Sequence, residues 1–423
     1  VNNMEKWKTL IQQNRSAQGL LLLALVLTSS LSIYFMDKSV TAFLLLLSSL
    51  LLLYYTSFSN TVKWIIGAII LLAVIPFAAS GGPSEQAYMD VATMTGIYIA
   101  MALGLNIVVG FAGLLDLGFV AFFAIGAYSY AIFTSPHAQK LFASDFFPLS
   151  GEWFWLFILI GGMLAGLFGI ILGVPVLRVK GDYLAIVTLG FGEIIRIIFN
   201  NLDKPVNITN GAMGLSSIKS AALFGFEFAY ANQIYFIVIV ILAFVIFGVR
   251  RVEHSRLGRS WKAVREDEIA AQAMGIPLVR TKLWAFALGA SFSGFMGVVF
   301  AAKQQFIDPT SFTLLESITI LVMVILGGMG SVPGVILGAA VITVLNLQVL
   351  KEVTDFLNQM LTLPSALSPD KMQKFIFGAV LICIALFRPQ GLIPARNKKV
   401  DPATLEPAST EQPPVDAGKT TTL

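Results

Sequence analysis

Asp116, Glu193 and Arg196 are candidate functional charges within or beside the apolar stretches of this 423-residue chain. In an apolar medium such groups are costly unless they pair, meet a polar solute or hold broken backbone. Glu193 and Arg196 are three residues apart, so a helix places them on one face where carboxylate and guanidinium can meet. That spacing fits a structural ion bridge, and it fits contact with a passing solute. Asp116 suits a cap on unwound backbone or a place on a solute pathway, and Asn106 and Thr188 are neutral hydrogen-bonding companions. Bond-making chemistry finds less support. His137 and His254 are the only histidines, neither lies in an apolar run beside a nucleophile, and no metal-ligand spacing appears. The C-terminal Ala417-Gly418-Lys419-Thr420-Thr421 echoes a phosphate-binding loop, but Pro413 occupies the place of the first glycine and no strand precedes it. Neither a cofactor nor a metal is expected, and the chain reads as a non-enzyme.

The elements that must position these residues are membrane helices. Hydrophobic residues make up 57% of the chain and charged ones 12%, with a mean hydropathy of +0.81, whereas a soluble domain carries about 25% charged residues. So little charge cannot clothe a soluble surface. Apolar runs fall at 19–35, 40–55, 62–79, 91–109, 117–133, 153–176, 183–199, 234–249, 283–302, 314–326, 335–350 and 375–387. Several are shorter than the roughly 20 residues of a full crossing, so an all-α polytopic protein of about 10–12 transmembrane helices is expected. A polar start with Lys6, Lys8 and Arg15 precedes the first run, which reads as a retained helix and not a signal peptide, since a second run soon follows. Cys383 lies alone in an apolar run and reads as packing.

The net charge of +4 reflects topology, not a nucleic-acid footprint, because basic residues cluster between apolar runs. With twelve crossings and a cytoplasmic N-terminus, 19 of the 28 Lys and Arg fall inside and 8 outside, with Arg196 within a span. That bias places both termini and the segment from Arg250 to Lys282 in the cytoplasm. Glycine-rich breaks interrupt the spans at Gly110 to Gly118 (GFAGLLDLG) and Gly327 to Gly334 (GGMGSVPG). Such breaks accompany close helix packing or unwound backbone lining a cavity, and their weak mutual likeness hints at an internal repeat.

The cytoplasmic segment from Gly258 to Ile276 is the most informative. Glu266, Asp267 and Glu268 set negative charge at the expected start of a short helix, where the dipole favours it. Ala270, Ala271 and Ala273 favour helix with little bulk, Gly275 can supply a left-handed cap, and Pro277 prevents continuation. This segment resembles the EAA loop of ABC-importer permeases, in the form found in the branched-chain amino acid permease family. The matching residues are Gly258, Ala263, Arg265, Glu266, Asp267, Glu268, Ala270, Ala271, Gly275 and Ile276. The resemblance extends to Gly104-Leu105-Asn106 with Gly110, Gly113, Gly118, Gly126, Ala127 and Tyr128. It continues through the stretch from Arg178 to Gly190 with Glu193 to Arg196, then Thr209 to Leu215, Leu326 to Leu337 and Arg388 to Leu392. Asn210 departs from the family's glycine.

The resemblance implies three domains: an N-terminal extension, 1–87, with three spans like those of the LivM-type branch; a permease core, 88–392; and a cytoplasmic tail, 393–423, too polar to fold. It further implies a heterodimer with a second homologous permease, two separate ATPase subunits docked on the cytoplasmic loops, and an extracytoplasmic substrate-binding protein. Leucine, isoleucine and valine follow as substrates, and a bacterial inner membrane as the location. An ion-coupled secondary transporter is the competing reading. It accounts for the breaks and the buried charges but gives the loop from Gly258 to Ile276 no role.

Overall fold

The computed structural model describes residues 15–35, 58–79, 85–176 and 182–360, with scattered positions between 45 and 56, at 179, and between 372 and 394. The spans expected at 40–55 and 375–387 lie largely outside the described residues. So do Cys383, Arg178, Lys180, the first fourteen residues and the tail from Asp401.

Helices dominate the described residues. In order they are α1 (Arg15–Phe35), α2 (Asn60–Ile69), α3 (Ile75–Ala79), α4 (Glu85–Leu105), α5 (Val120–Thr134), α6 (His137–Phe142), α7 (Phe154–Val176) and α8 (Asp182–Asn201). After two-residue strands β1 (Leu215–Ser216), β2 (Ala222–Leu223) and β3 (Phe226–Glu227) come α9 (Ala231–Glu253), α10 (Arg256–Glu266), α11 (Glu268–Ala273) and α12 (Leu278–Gln304). Strand β4 (Phe306–Ile307), α13 (Leu314–Gly327), α14 (Val332–Val344) and α15 (Leu350–Met360) complete the order. Single π-turns join α2 to α3, extend α4 through Asn106–Phe111 and join α14 to α15.

Among the described residues, seven helices are long and apolar enough to cross a membrane, and three shorter apolar helices accompany them. The placement of side chains within them identifies the solvent. Along α7, Leu159, Met163, Leu167, Ile171 and Val174 point outward while Gly161, Ala165, Gly169 and Gly173 are buried. A soluble helix would turn its large apolar residues inward. The reversal means that lipid, no less apolar than leucine, meets the large side chains while small residues allow backbones to approach.

The closest approaches lie where α12 passes between α5 and α7. A Cβ on Gly126 would stand 2.2 Å from the Gly294 carbonyl oxygen, and one on Gly294 would stand 2.6 Å from that of Gly161. These are backbone atoms, so no rotamer change can make room. The core around this crossing includes Phe119, Phe122, Tyr128, Phe286 and Met296, all fully buried.

The loops gather at two opposite ends. At one end β1 pairs antiparallel with β4, Ile218 N donates to Gln305 O at 3.1 Å, and the Tyr130 hydroxyl donates to Lys219 O at 2.8 Å. Trp155 Nε1 donates to Ala222 O at 3.0 Å, pinning the β2–β3 hairpin to the start of α7. Here Asn210 takes a left-handed φ of 60°, which explains how asparagine stands where the resemblance has glycine. At the other end lie the two glycine-rich breaks, the α10–α11 segment and residues 391–393.

Candidate functional site

The segment from Arg256 to Ala273 folds as two short helices turned against the start of α12. Helix α10 is capped by Ser255, whose hydroxyl accepts from Gly258 N at 3.3 Å. It is held by Trp261, fully buried, whose Nε1 donates to Thr281 O at 2.7 Å. Asp267 then breaks the chain between the helices. It adopts an extended conformation and its Oδ1 accepts from Ile269 N at 2.8 Å and Ala270 N at 2.9 Å, capping α11. At the far end Gly275 has φ +84°, with Ile276 N donating to Ala271 O and Gly275 N to Gln272 O. That pair of bonds is the Schellman arrangement, which the Gly-Ile-Pro sequence after the alanines foreshadows.

The three acidic residues separate into different roles. Glu268 pairs with Lys282 at 2.6 Å, and this buried lysine thereby ties α11 to α12. Asp267 is the cap. Glu266 does not start the short helix as the sequence pattern suggests; it is the last residue of α10 and remains exposed. The cause is local: the Asp267 cap lets one helix end and the next begin without a loop between them.

The alanines separate too. Ala270 and Ala273 are exposed, but Ala271 is buried at 4% exposure, so it packs within this chain and is not free for a partner. The outward surface of α11 and its cap is instead apolar: Ile269 is 79% exposed and Met274 84%. Composition alone could not separate these neighbours, because a six-residue helix shows too little periodicity to reveal its inner face.

The other matching residues of this segment meet other parts of the chain, although Arg265 is itself exposed. Gly258 lies against the carbonyls of Val252 and Glu253, and Ala263 is half-buried. Arg265 turns back toward the first break, where its Nη1 donates to Gly110 O, and its Cγ would stand 2.8 Å from a Cβ on Gly113. Lys262 lies over the Phe111 ring at 5.6 Å.

The residues expected inside the spans also become neighbours of the breaks. Asn106 is buried, and its Oδ1 accepts from Gly330 N at 2.8 Å, so the first break touches the second. Buried Thr188 on α8 accepts from Leu117 N at 3.0 Å through Oγ1. Asp116 Oδ1 accepts from Gly118 N at 2.9 Å, the geometry of a cap on unwound backbone, while its Oδ2 is buried without a partner. Glu193 and Arg196 form an ion pair at 2.8 Å with both side chains about one-third exposed. Glu193 also lines a recess with Leu117, Val120, Leu189, Phe312 and Ser317.

Two features escaped the sequence pattern: the Lys282 partner of Glu268, and Ser317 on α13, whose hydroxyl accepts from Val120 N at 3.1 Å and holds the start of α5. Neither carries a motif. Among the described residues no three His, Cys, Asp or Glu side chains gather as a metal site. His137 Nε2 lies 2.8 Å from the backbone oxygen of Asn207, 70 residues on, and His254 Nδ1 2.9 Å from that of Arg250, one helical turn back.

Comparison with known proteins adds the following. Residues 87–385 match the family described as branched-chain amino acid transport system / permease component. The chain is 37% identical over 361 residues to the high-affinity branched-chain amino acid transport system permease protein LivM of Escherichia coli K12, covering 79% of this chain and 76% of that protein. It is 38% identical to the LivM protein of Salmonella typhimurium, with 78% and 75% covered. The LivH permease protein of Escherichia coli K12 is 25% identical over 155 residues, 37% of this chain and 44% of that one. No solved structure matches the chain.

Proposed function

Because the chain belongs to the branched-chain amino acid transport system permease family, we propose that it is the membrane-spanning subunit of an ABC importer that carries leucine, isoleucine and valine inward. Its energy comes from separate ATPase subunits, and the chain itself catalyses nothing. The observation that carries this reading is the α10–α11 unit: a helix pair fixed to α12 through Trp261 and Lys282, with Ile269, Ala270, Ala273 and Met274 facing out. A short helix presenting an apolar surface suits docking in a groove of a partner. Glu266, exposed beside it, offers a charge-assisted contact.

A second permease fits the same picture. Escherichia coli K12 has relatives named both LivM and LivH, two permease proteins of one transport system. On α8, Ile186, Ile194 and Ile197 are exposed, as lipid permits, but Glu193 and Arg196, about one-third exposed, sit on its flank. Lipid does not favour such a pair, so this flank is assigned to a subunit contact or to the aqueous path between two permeases. The heterodimer, two ATPases on the α11 side and a binding protein at the β1–β4 side complete the assembly, in a bacterial inner membrane with both termini cytoplasmic. The core is 88–392, preceded by an extension, 1–87, and followed by the tail, 393–423. Nothing in the family comparisons favours an ion-coupled secondary transporter.

The test is reconstitution of the chain in vesicles with its sister permease, ATPases and binding protein. Leucine uptake should require ATP hydrolysis and survive ionophores that collapse ion gradients. Uptake that follows an ion gradient without ATP refutes the reading.

A further inference from the structure

We propose that Arg265 is the tie that carries movement of the docked α10–α11 unit into the membrane helices, by holding the end of α4 at the first break. The proposal rests on the reading that α11 meets an ATPase, and it assigns the guanidinium of Arg265, a residue exposed in the free chain, to the end of α4 and not to the docking surface.

Helix α4 runs through its π-turn to Phe111 and stops, leaving carbonyls with no intrahelical partner and the negative end of the helix dipole. Two cations from α10 meet that end. Arg265 Nη1 donates to Gly110 O, the side chain crosses Gly113, and Lys262 stands over Phe111. A guanidinium on a helix C-terminus is stabilised by both the hydrogen bond and the dipole, so α10 and α4 move together at this point.

From the break, contacts lead to two further elements. Asn106 Oδ1 holds Gly330 N in the second break, and a Cβ on Gly110 would stand 2.6 Å from that nitrogen, so the breaks are packed backbone to backbone. The second break in turn accepts Leu392 N on Leu326 O at 2.8 Å and Ile393 N on Gly327 O at 3.0 Å. On the other side, Thr188 of α8 accepts from Leu117 N, and Gly118 abuts the Thr188 carbonyl. Helix α8 carries Glu193 and Arg196. A displacement of α10 therefore reaches the flank of α8 through one segment of backbone, residues 110–118.

The segment also has a reason to exist in two arrangements. Asn106 Nδ2 and Asp116 Oδ2 are both buried without partners in this packing. Buried polar groups left unpaired are costly, so a second arrangement that pairs them has free energy to gain. Packed elements of this kind switch between discrete states and do not bend continuously.

The experiment compares Arg265→Gln with Arg265→Lys in the full reconstituted importer and in the chain alone. In the importer, ATPase co-purification and the number of leucine molecules carried per ATP are measured together. Arg265→Gln is expected to retain its ATPase while transport per ATP falls about tenfold, the size of one lost charge-assisted hydrogen bond. Arg265→Lys, which keeps a cationic donor, should recover much of it. In the chain alone, a cysteine at buried Leu114, with Cys383 replaced, should react faster with a thiol reagent in Arg265→Gln than in Arg265→Lys. Unchanged labelling overturns the tie. Faster labelling with unchanged transport per ATP shows a merely structural contact and overturns the proposed transmission. A parent chain that retains no ATPase removes the docking reading and this proposal with it, an outcome distinct from both.

Discussion

Replacing Ile269 and Met274 by alanine tests the docking surface most directly, because both are apolar, highly exposed and uninvolved in holding α11 in place. In the free chain they are 79% and 84% exposed, so truncation removes almost no packing and should change stability by no more than about 0.5 kcal/mol. In a groove the same side chains would be covered. Full burial of such a side chain is worth about 1.5–3 kcal/mol, of which alanine keeps one methyl, so each truncation should weaken docking by about 1–2 kcal/mol. At roughly 1.4 kcal/mol per decade, affinity for the ATPase falls about 5–30-fold per substitution. Ala271→Trp is the control with the opposite signature. Ala271 is buried at 4% exposure, and overpacking such a site costs about 1–3 kcal/mol within the chain itself. Its docking defect should therefore come with loss of local structure. The assay is titration of detergent-purified or nanodisc-held chain with its ATPase, alongside thermal stability and proteolysis of residues 254–281. If Ile269→Ala and Met274→Ala both leave affinity within about twofold, α11 is not the docking element.

Gly126→Ala should lower the amount of folded protein in the membrane, because the new Cβ would meet the Gly294 carbonyl and two helix backbones would have to separate. Quantifying membrane-inserted, detergent-stable protein checks it, and wild-type yield and melting would refute it. Glu268→Gln, which leaves buried Lys282 without its carboxylate partner on a part-exposed glutamate, should loosen α11 from α12 by about 1–2 kcal/mol, read as faster proteolysis after residue 266. Cysteines at Gln272 and Ser216, both exposed and at opposite ends of the bundle, should label from opposite sides of intact cells in a Cys383-free background. Labelling of Gln272 from outside, with Ser216 reached only from inside, would invert the proposed topology.

The sequence alone determined the features that depend on neighbours along the chain. Apolar runs separated by basic clusters specify a membrane bundle because each crossing must satisfy its own backbone hydrogen bonds. The helix at 268–273 was legible from the acidic run at its start and from Gly275 and Pro277 at its end, since each acts within a few residues of where it stands. The breaks at Gly110 and Gly327 were legible because glycine clusters do not sustain a helix. What each carboxylate or alanine faces was not legible. Glu266 closes one helix while Glu268, two positions on, pairs with a lysine 14 residues away. Ala270 is exposed while Ala271 is buried. Arg265 reaches a carbonyl 155 residues earlier, and Asn106 reaches an amide 224 residues later. Those meetings depend on how closely α4, α5, α7 and α12 pack at their glycines and on the angle at which α10 leaves α9. Both are set by the sum of many distant contacts, which no local pattern of residues records.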